Sequence, residues 1–436
     1  MTNSNTMAQW LSNNKKGYSM KVIFALLLIC FSTLSNAVEQ AEEIFKQLAP
    51  SLYQIRLIDK ASGEKSSIGS GFQISSDGLI ATNYHVISGF ARHPHKYTIE
   101  YLDNQGNKAA LTLKSVDVIN DLAIVQREVS TAMPFFNIAK QAPTKGEELY
   151  SLGNPHDLGM IVVPGTYNGL KNESFNDRIH FTGSVNSGMS GGPVVNKNTE
   201  VVGINVATSG NQIGFLVPHD KLLSLYLNYK KSPPATIEQQ MAAQLMQNQN
   251  KLISTIMDSD WQLKQLGRGL IPTIDVPFVR CWGESNSDKS DAQIMAAVAN
   301  CDLDENTYIS SDFFTGSLEM EYRYMESDKI GSTKFYHIFE RQLNQVAPGN
   351  QAGKDDVTEY QCHHDIVMPE TSNIKNKAVF CTRAYKDFPD LYDVLYIGIS
   401  VDHEQYALLS HFTISGVAQE TSLAFLAKFM ESVSWK

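Results

Sequence analysis

The sequence predicts an all-β N-terminal unit, a barrel or a sandwich, joined by a helical connector to an α+β C-terminal unit with an antiparallel sheet. Three observations carry this. Across 38–232, short runs rich in Val, Ile, Thr and aromatics recur every ten or so residues between clusters of Gly, Asn, Asp and Ser. Ser232-Pro233-Pro234 breaks the pattern, and over 233–269 a Gln-rich stretch follows with Ile237, Met241, Leu245, Leu252 and Ile256 at helical spacing. From 270 to 436 strand-like runs resume, now with four cysteines and a large acid excess.

In chain order, residues 1–37 read as an export signal. Lys21 precedes the apolar run Val22–Phe31, and Ser35-Asn36-Ala37 places small residues at the cleavage position. About ten apolar residues are too few to span a bilayer, and Met20 is a candidate true start. The mature chain is therefore expected from Val38, exported to the periplasm or secreted, with no membrane span left. Within 38–232, Phe72-Gln73-Ile74 and Leu79-Ile80-Ala81 flank Ser75-Ser76-Asp77-Gly78, where Asp-Gly suits a tight reversal. Further strands are expected at 97–102, 109–115, 122–127, 160–163, 193–195, 201–206 and 213–217. Beyond the connector they are expected at 317–324, 334–341, 377–385, 392–401 and 406–415, with a closing helix over 418–434. With 42% apolar and 19% charged residues in 436, the chain has material for a sizeable core.

Cys30 leaves with the signal, and Cys281, Cys301, Cys362 and Cys381 remain. Four cysteines in an oxidising compartment imply two disulfides. Three connectivities are open, and the short separations favour Cys281–Cys301 and Cys362–Cys381. Cys362-His363-His364-Asp365 lacks a second ligand group, and Asp302-Leu303-Asp304 lacks the glycine and distant glutamate of a calcium loop, so no metal or cofactor is expected. Residues 38–232 hold 17 basic against 18 acidic groups, and the rest of the mature chain 16 against 28. That balance argues against nucleic acid or an anionic membrane as partner. Charge and cysteines divide at the same break, so each half is expected to have its own core.

The strongest chemical signal is Asn186-Ser187-Gly188-Met189-Ser190-Gly191-Gly192-Pro193. A serine on a Gly-rich turn can expose its hydroxyl while the backbone N–H groups of Gly188 and Ser190 converge where an acyl oxygen becomes an oxyanion. Without chemistry it would be an ordinary Gly-Ser turn. His85, in Thr82-Asn83-Tyr84-His85-Val86, and Asp121, opening Leu122-Ala123-Ile124-Val125, supply the base a weak hydroxyl needs and the carboxylate that orients the base. Each alone is modest; their order gives them weight.

Six segments in order make the chain resemble the trypsin-like serine peptidases of chymotrypsin fold, of the bacterial HtrA/Deg type. They are Gly69-Ser70-Gly71-Phe72, Thr82-Asn83-Tyr84-His85-Val86, Asn120-Asp121-Leu122-Ala123, Leu152-Gly153-Asn154-Pro155, Gly188-Met189-Ser190-Gly191-Gly192-Pro193 and Gly203-Ile204-Asn205, within about 45–225. The resemblance implies two packed six-stranded barrels, a site in the cleft between them, and the triad Ser190, His85 and Asp121. It places Ser184 near the base of the primary specificity pocket and Val206, Ala207 and Thr208 on its wall. Such a pocket suits small or medium aliphatic side chains and leaves Lys or Arg without a counter-charge. Met189 stands where many relatives carry asparagine, and no PDZ domain is recognisable after the protease region. The expected activity is an exported endopeptidase acting on protein or peptide substrates, with envelope protein quality control as its expected setting. The rival reading is a silent chaperone or binding protein on the same fold.

Overall fold

A computed structural model describes residues 40–208, 213–343, 346 and 348–436; the expected export signal lies outside the described residues. Six strands, β1 (Leu52–Asp59), β2 (Lys65–Gln73), β3 (Leu79–Thr82), β4 (Tyr97–Leu102), β5 (Lys108–Asp117) and β6 (Leu122–Gln126), close into an antiparallel barrel in the order β1-β2-β3-β6-β5-β4. The Asp-Gly reversal forms as the sequence requires: Gly78 has φ +91°, and Phe72 and Gln73 face Ala81 and Ile80 across the hairpin. Helix α1 (Tyr84–Arg92) leaves directly from β3. A second closed barrel comprises β7 (Glu148–Gly153), β8 (Ile161–Leu170), β9 (Ile179–Phe181), β10 (Pro193–Val195), β11 (Val201–Thr208) and β12 (Gly214–Pro218), in the order β10-β11-β12-β9-β8-β7. Leu52, Phe72 and Ile124 of the first barrel share one apolar cluster with Leu152, Ile204 and Val217 of the second, so the two barrels pack directly. Helix α2 (His219–Lys231) covers this joint with Leu222 and Leu225.

The connector is helix α3 (Ile237–Asp258), its start capped by the Thr236 side chain accepting from the Gln239 N–H at 3.2 Å. It packs on both halves. Met241 and Leu245 join the first barrel's core, while Leu252, Ile253 and Ile256 enter the core of the C-terminal region. Its glutamines have a specific task. Strand β4 pairs with β5 only over Lys108–Leu111, leaving later β5 backbone groups without a strand partner on that side. Gln240 accepts from the Val116 N–H at 3.0 Å and donates to Ser115 Oγ at 2.8 Å. Gln244 accepts from the Val118 N–H at 3.0 Å and donates to the Val116 carbonyl at 2.8 Å. A side-chain amide carries the same donor and acceptor as a peptide, so the helix completes the ladder.

The C-terminal region is built on a seven-stranded antiparallel sheet. Alternation divides its faces: Leu408, Phe412 and Ile414 enter one cluster, Ala407 and Leu409 another. Helix α4 (Ser332–Leu343) covers the second face through Phe335 and Phe339, and α5 (Gln419–Glu431) covers the first through Phe425 and Phe429. The strand expected at 334–341 is therefore helix. Aromatic and β-branched residues suggested a strand, but Phe335 and Phe339, four apart, stack at 6.2 Å and bury together. The favoured pairing of the four cysteines forms: Cys281–Cys301 and Cys362–Cys381 join directly opposite positions on paired strands. His363 and His364 are exposed on an edge strand.

Each half has apolar clusters of its own, and a further cluster is shared between them. One cluster joins Tyr84, Ile87 and Ala91 of α1 with Ile309, Phe313, Tyr385, Phe388 and Leu391 of the C-terminal region. The Tyr84 hydroxyl donates to the Ile309 carbonyl at 2.9 Å. Arg92 at the end of α1, its side chain 6% exposed, pairs with Asp356 at 2.7 Å and Asp387 at 2.9 Å, and lies over the rings of Phe313 and Phe388. Composition divided the chain at the Pro-Pro break, but the buried face of α1 had to be covered by something, and residues more than 200 positions away in the chain cover it.

Candidate active site

Strand pairing puts Thr82 opposite Ala123, so the ends of β3 and β6 deliver the residues just beyond them, His85 and Asp121, to one rim of the first barrel. Asp121 adopts φ +59°, a left-handed conformation that aspartate tolerates better than bulkier residues. In that conformation it grips the start of α1 at four points. Its carbonyl accepts from Asn83 Nδ2 at 2.7 Å and from the Tyr84 N–H at 3.2 Å. Its carboxylate accepts from the His85 N–H at 2.8 Å and meets His85 Nδ1 at 2.6 Å. Ring position and carboxylate position are thereby fixed together, with Nδ1 occupied and Nε2 turned away from Asp121. Burial pushes the imidazole pKa down, and the Asp121 charge and hydrogen bond more than offset it, leaving His85 above its ordinary value of 6.5.

Ser190 sits on the Gly-rich turn that enters β10. Gly188 and Gly191 have φ of +93° and +83°, and neither has room for a side chain. A Cβ on Gly188 would lie 2.4 Å from the Asn154 carbonyl; one on Gly191 would lie 2.3 Å from the Ser70 carbonyl and 2.8 Å from the Asn83 nitrogen, two residues before His85. The turn is thus pressed against the strand end that carries the histidine. Ser70, fully buried, is the tie. Its N–H donates to the Ser190 carbonyl at 2.7 Å, its hydroxyl donates to the Gly188 carbonyl at 2.7 Å, and that hydroxyl accepts from the Asn154 N–H at 2.9 Å. Asn205 holds the other side, its backbone bonded both ways to Gly191 and Gly192 at 2.9 Å and its side chain to Ser151 and Leu152.

Two peptide groups in this turn have fixed orientations. The Ser187 carbonyl accepts from the His156 N–H at 2.9 Å, and the Met189 carbonyl from the Gly192 N–H at 3.0 Å. In a trans peptide the following N–H points the opposite way. The N–H groups of Gly188 and Ser190 accordingly find no acceptor among the described residues.

A cavity of about 500 Å³ opens beside His85 and Asp121. Of the four residues expected in the specificity pocket, Val206 and Ala207 lie on its wall, while Ser184 and Thr208 are exposed and outside it. Phe215 and Arg178 are among the residues on the second-barrel side, and Tyr308, Asn306 and Glu305 among those from the C-terminal region. None of these was legible beforehand. Arg178 donates to the carbonyls of Asp177 and Ile119, and burial lowers its pKa. For Ser70 its place between Gly69 and Gly71 was the available signal, and for Asn205 its place in the Gly203-Ile204-Asn205 segment.

The two closed six-stranded antiparallel barrels define the chymotrypsin-like architecture. Residues 69–204 match the family described as a trypsin-like peptidase domain. The chain is 31% identical over 200 residues to serine protease HTRA4 of Mus musculus, a match covering 43% of this chain and 40% of that relative. It is 30% identical over 193 residues to serine protease HTRA1B of Danio rerio, covering 41% and 39%. A crystal structure of the serine endoprotease from Yersinia pestis aligns with TM-score 0.39 and 25% identity over 44% of this chain and 67% of that one. The chain thus spans about two fifths of the length of these curated relatives. The sequence likenesses support an HtrA/Deg-type serine protease.

Proposed function

We propose that the chain is an exported serine endopeptidase that cleaves protein or peptide substrates through an acyl-enzyme. The observation that carries this reading is the double grip of Asp121 on His85, with the Ser190 turn pressed against Asn83. In this reading Ser190 Oγ attacks the scissile carbonyl and His85 Nε2 takes the hydroxyl proton. Asp121 keeps the imidazole oriented and stabilises its protonated form. The unbonded N–H groups of Gly188 and Ser190 receive the oxyanion, and His85 then returns its proton to the leaving amine. A water deprotonated by the same imidazole hydrolyses the ester.

Val206, Ala207 and Phe215 favour a small or medium aliphatic side chain at the cleaved residue, with Phe215 limiting its size. Two disulfides suit export, and for an exported endopeptidase envelope protein quality control is the role we favour. The test is labelling of the protein by a fluorophosphonate probe. Wild type should label once, at Ser190, and Ser190→Ala should neither label nor cleave casein. A folded wild type that does not label supports the rival, non-catalytic binding role.

A further inference from the structure

The 304–308 segment of the C-terminal region spans both barrels at the cleft. On the second barrel it holds the β8–β9 connection: the Glu305 carboxylate accepts from the Ser174 hydroxyl and from the Asn176 N–H at 3.2 Å, and Asp304 lies 3.7 Å from Lys171. Phe175 in that connection also packs edge-on against Phe278 at 5.0 Å. On the first barrel, Tyr308 meets the histidine itself. Its ring stands edge-on to the His85 ring with centroids 6.1 Å apart, and is backed by Tyr84 at 6.4 Å and Phe314 at 5.5 Å. The Tyr308 hydroxyl is 3.4 Å from Ser88 Oγ, a long contact, so the ring and not the hydroxyl dominates this placement.

We propose that Tyr308 is a specificity-determining residue of the substrate cleft: with Val118 and Ile119 it forms an apolar wall beside His85 that selects an aliphatic or aromatic substrate side chain, next to the one held by Val206 and Ala207. This rests on the endopeptidase reading. Tyr308 is only partly buried, whereas Thr307 and Ile309 on either side of it are buried, so its ring is the main apolar surface this strand offers the cavity, beside Thr307. The wall is donated from outside the two barrels. Substrate choice in this protein is therefore built partly from a region more than 100 residues beyond Ser190.

The experiment measures kcat/KM of the full-length protein on a peptide library varied at the residues flanking the cleaved one, together with the fluorophosphonate labelling rate at Ser190. Wild type should prefer Leu or Phe over Gly or Asp by about tenfold or more at one flanking position. Tyr308→Ala should erase most of that preference, and Tyr308→Phe should keep it to within about twofold, with the labelling rate read alongside for all three proteins. If Tyr308→Ala does not fold, Tyr308→Leu supplies the ring-less comparison. An unchanged preference profile in the ring-less variant overturns the inference. Equal loss of labelling in Tyr308→Ala and Tyr308→Phe also overturns it, because the residue would then merely support His85. A wild type that neither labels nor cleaves overturns the endopeptidase reading and this inference with it.

Discussion

At the residue scale, Asp121 holds His85 in two bonds, and in the proposed mechanism the pH dependence follows from that grip. Only neutral imidazole accepts the serine proton, so kcat/KM should fall as pH drops through the His85 pKa. Because Asp121 raises that pKa, the acid limb should lie above 6.5. Asp121→Asn keeps a residue that tolerates φ +59°, yet removes the charge that favours the imidazolium. Burial alone then remains, so the limb should move to lower pH while kcat falls by about 10⁴-fold, as expected when an orienting carboxylate is lost. A pH–rate profile measured on both proteins checks the direction; an acid limb that stays in place would separate His85 from the rate. Gly191→Ala is a second test at this scale. Its Cβ would meet the Ser70 carbonyl at φ +83°, so either the turn or β2 must move. Loss of fluorophosphonate labelling and about 2 kcal/mol or more of stability are expected, read from probe labelling and a denaturant titration.

At the scale of elements, α3 acts as a splint whose glutamines do the work of a missing strand. Gln240→Ala should leave the Val116 N–H without its partner, and Gln244→Ala should strip the Val118 N–H and the Val116 carbonyl. Each is expected to cost about 1–2 kcal/mol, measurable by urea titration, while Gln239→Ala should leave the Thr236 cap intact because only its backbone N–H is used. The Gln-rich composition was visible in the sequence, and so was the helical spacing. What the amides would bond was not, because that depends on where β4 stops pairing with β5. The 72–81 hairpin was legible because its turn chemistry is local to the chain. The 332–343 helix was misread because Phe, Tyr and Ile suit both a strand and a helix, and only the second face of the sheet decided between them. The same division holds for the candidate site. Ser190, His85 and Asp121 announced themselves through short local motifs, whereas Tyr308, Glu305 and Arg178 reach the cavity by tertiary packing that no local pattern encodes.

For the whole molecule, the decisive feature is the cluster shared between α1 and the C-terminal region, since α1 is also the helix that begins with the His85 segment. A chain ending at Ser232 would expose Tyr84, Ile87 and Ala91, each now 5% exposed or less, and would leave the Tyr84 hydroxyl without the Ile309 carbonyl. It would also leave Arg92 without both of its carboxylates and both of its aromatic neighbours. Burying about 25 cal/mol per Å² of apolar surface is the main favourable contribution at such a joint, and native domains have only about 5–15 kcal/mol in hand. Residues 38–232 alone are therefore expected to be aggregation-prone or partly unfolded at α1, and to label poorly with a fluorophosphonate although Ser190 is present. The intact protein should melt in one cooperative step, with the two halves losing structure together. Arg92→Ala in the full chain probes the same joint without truncation: it leaves Asp356, 12% exposed, without its cation, for an expected loss of about 3 kcal/mol and reduced labelling near the melting temperature. A soluble monomer of residues 38–232 that melts within a few degrees of the intact protein and labels at the same rate would show that the barrels stand alone, and that the C-terminal region rests on α1 without supporting it.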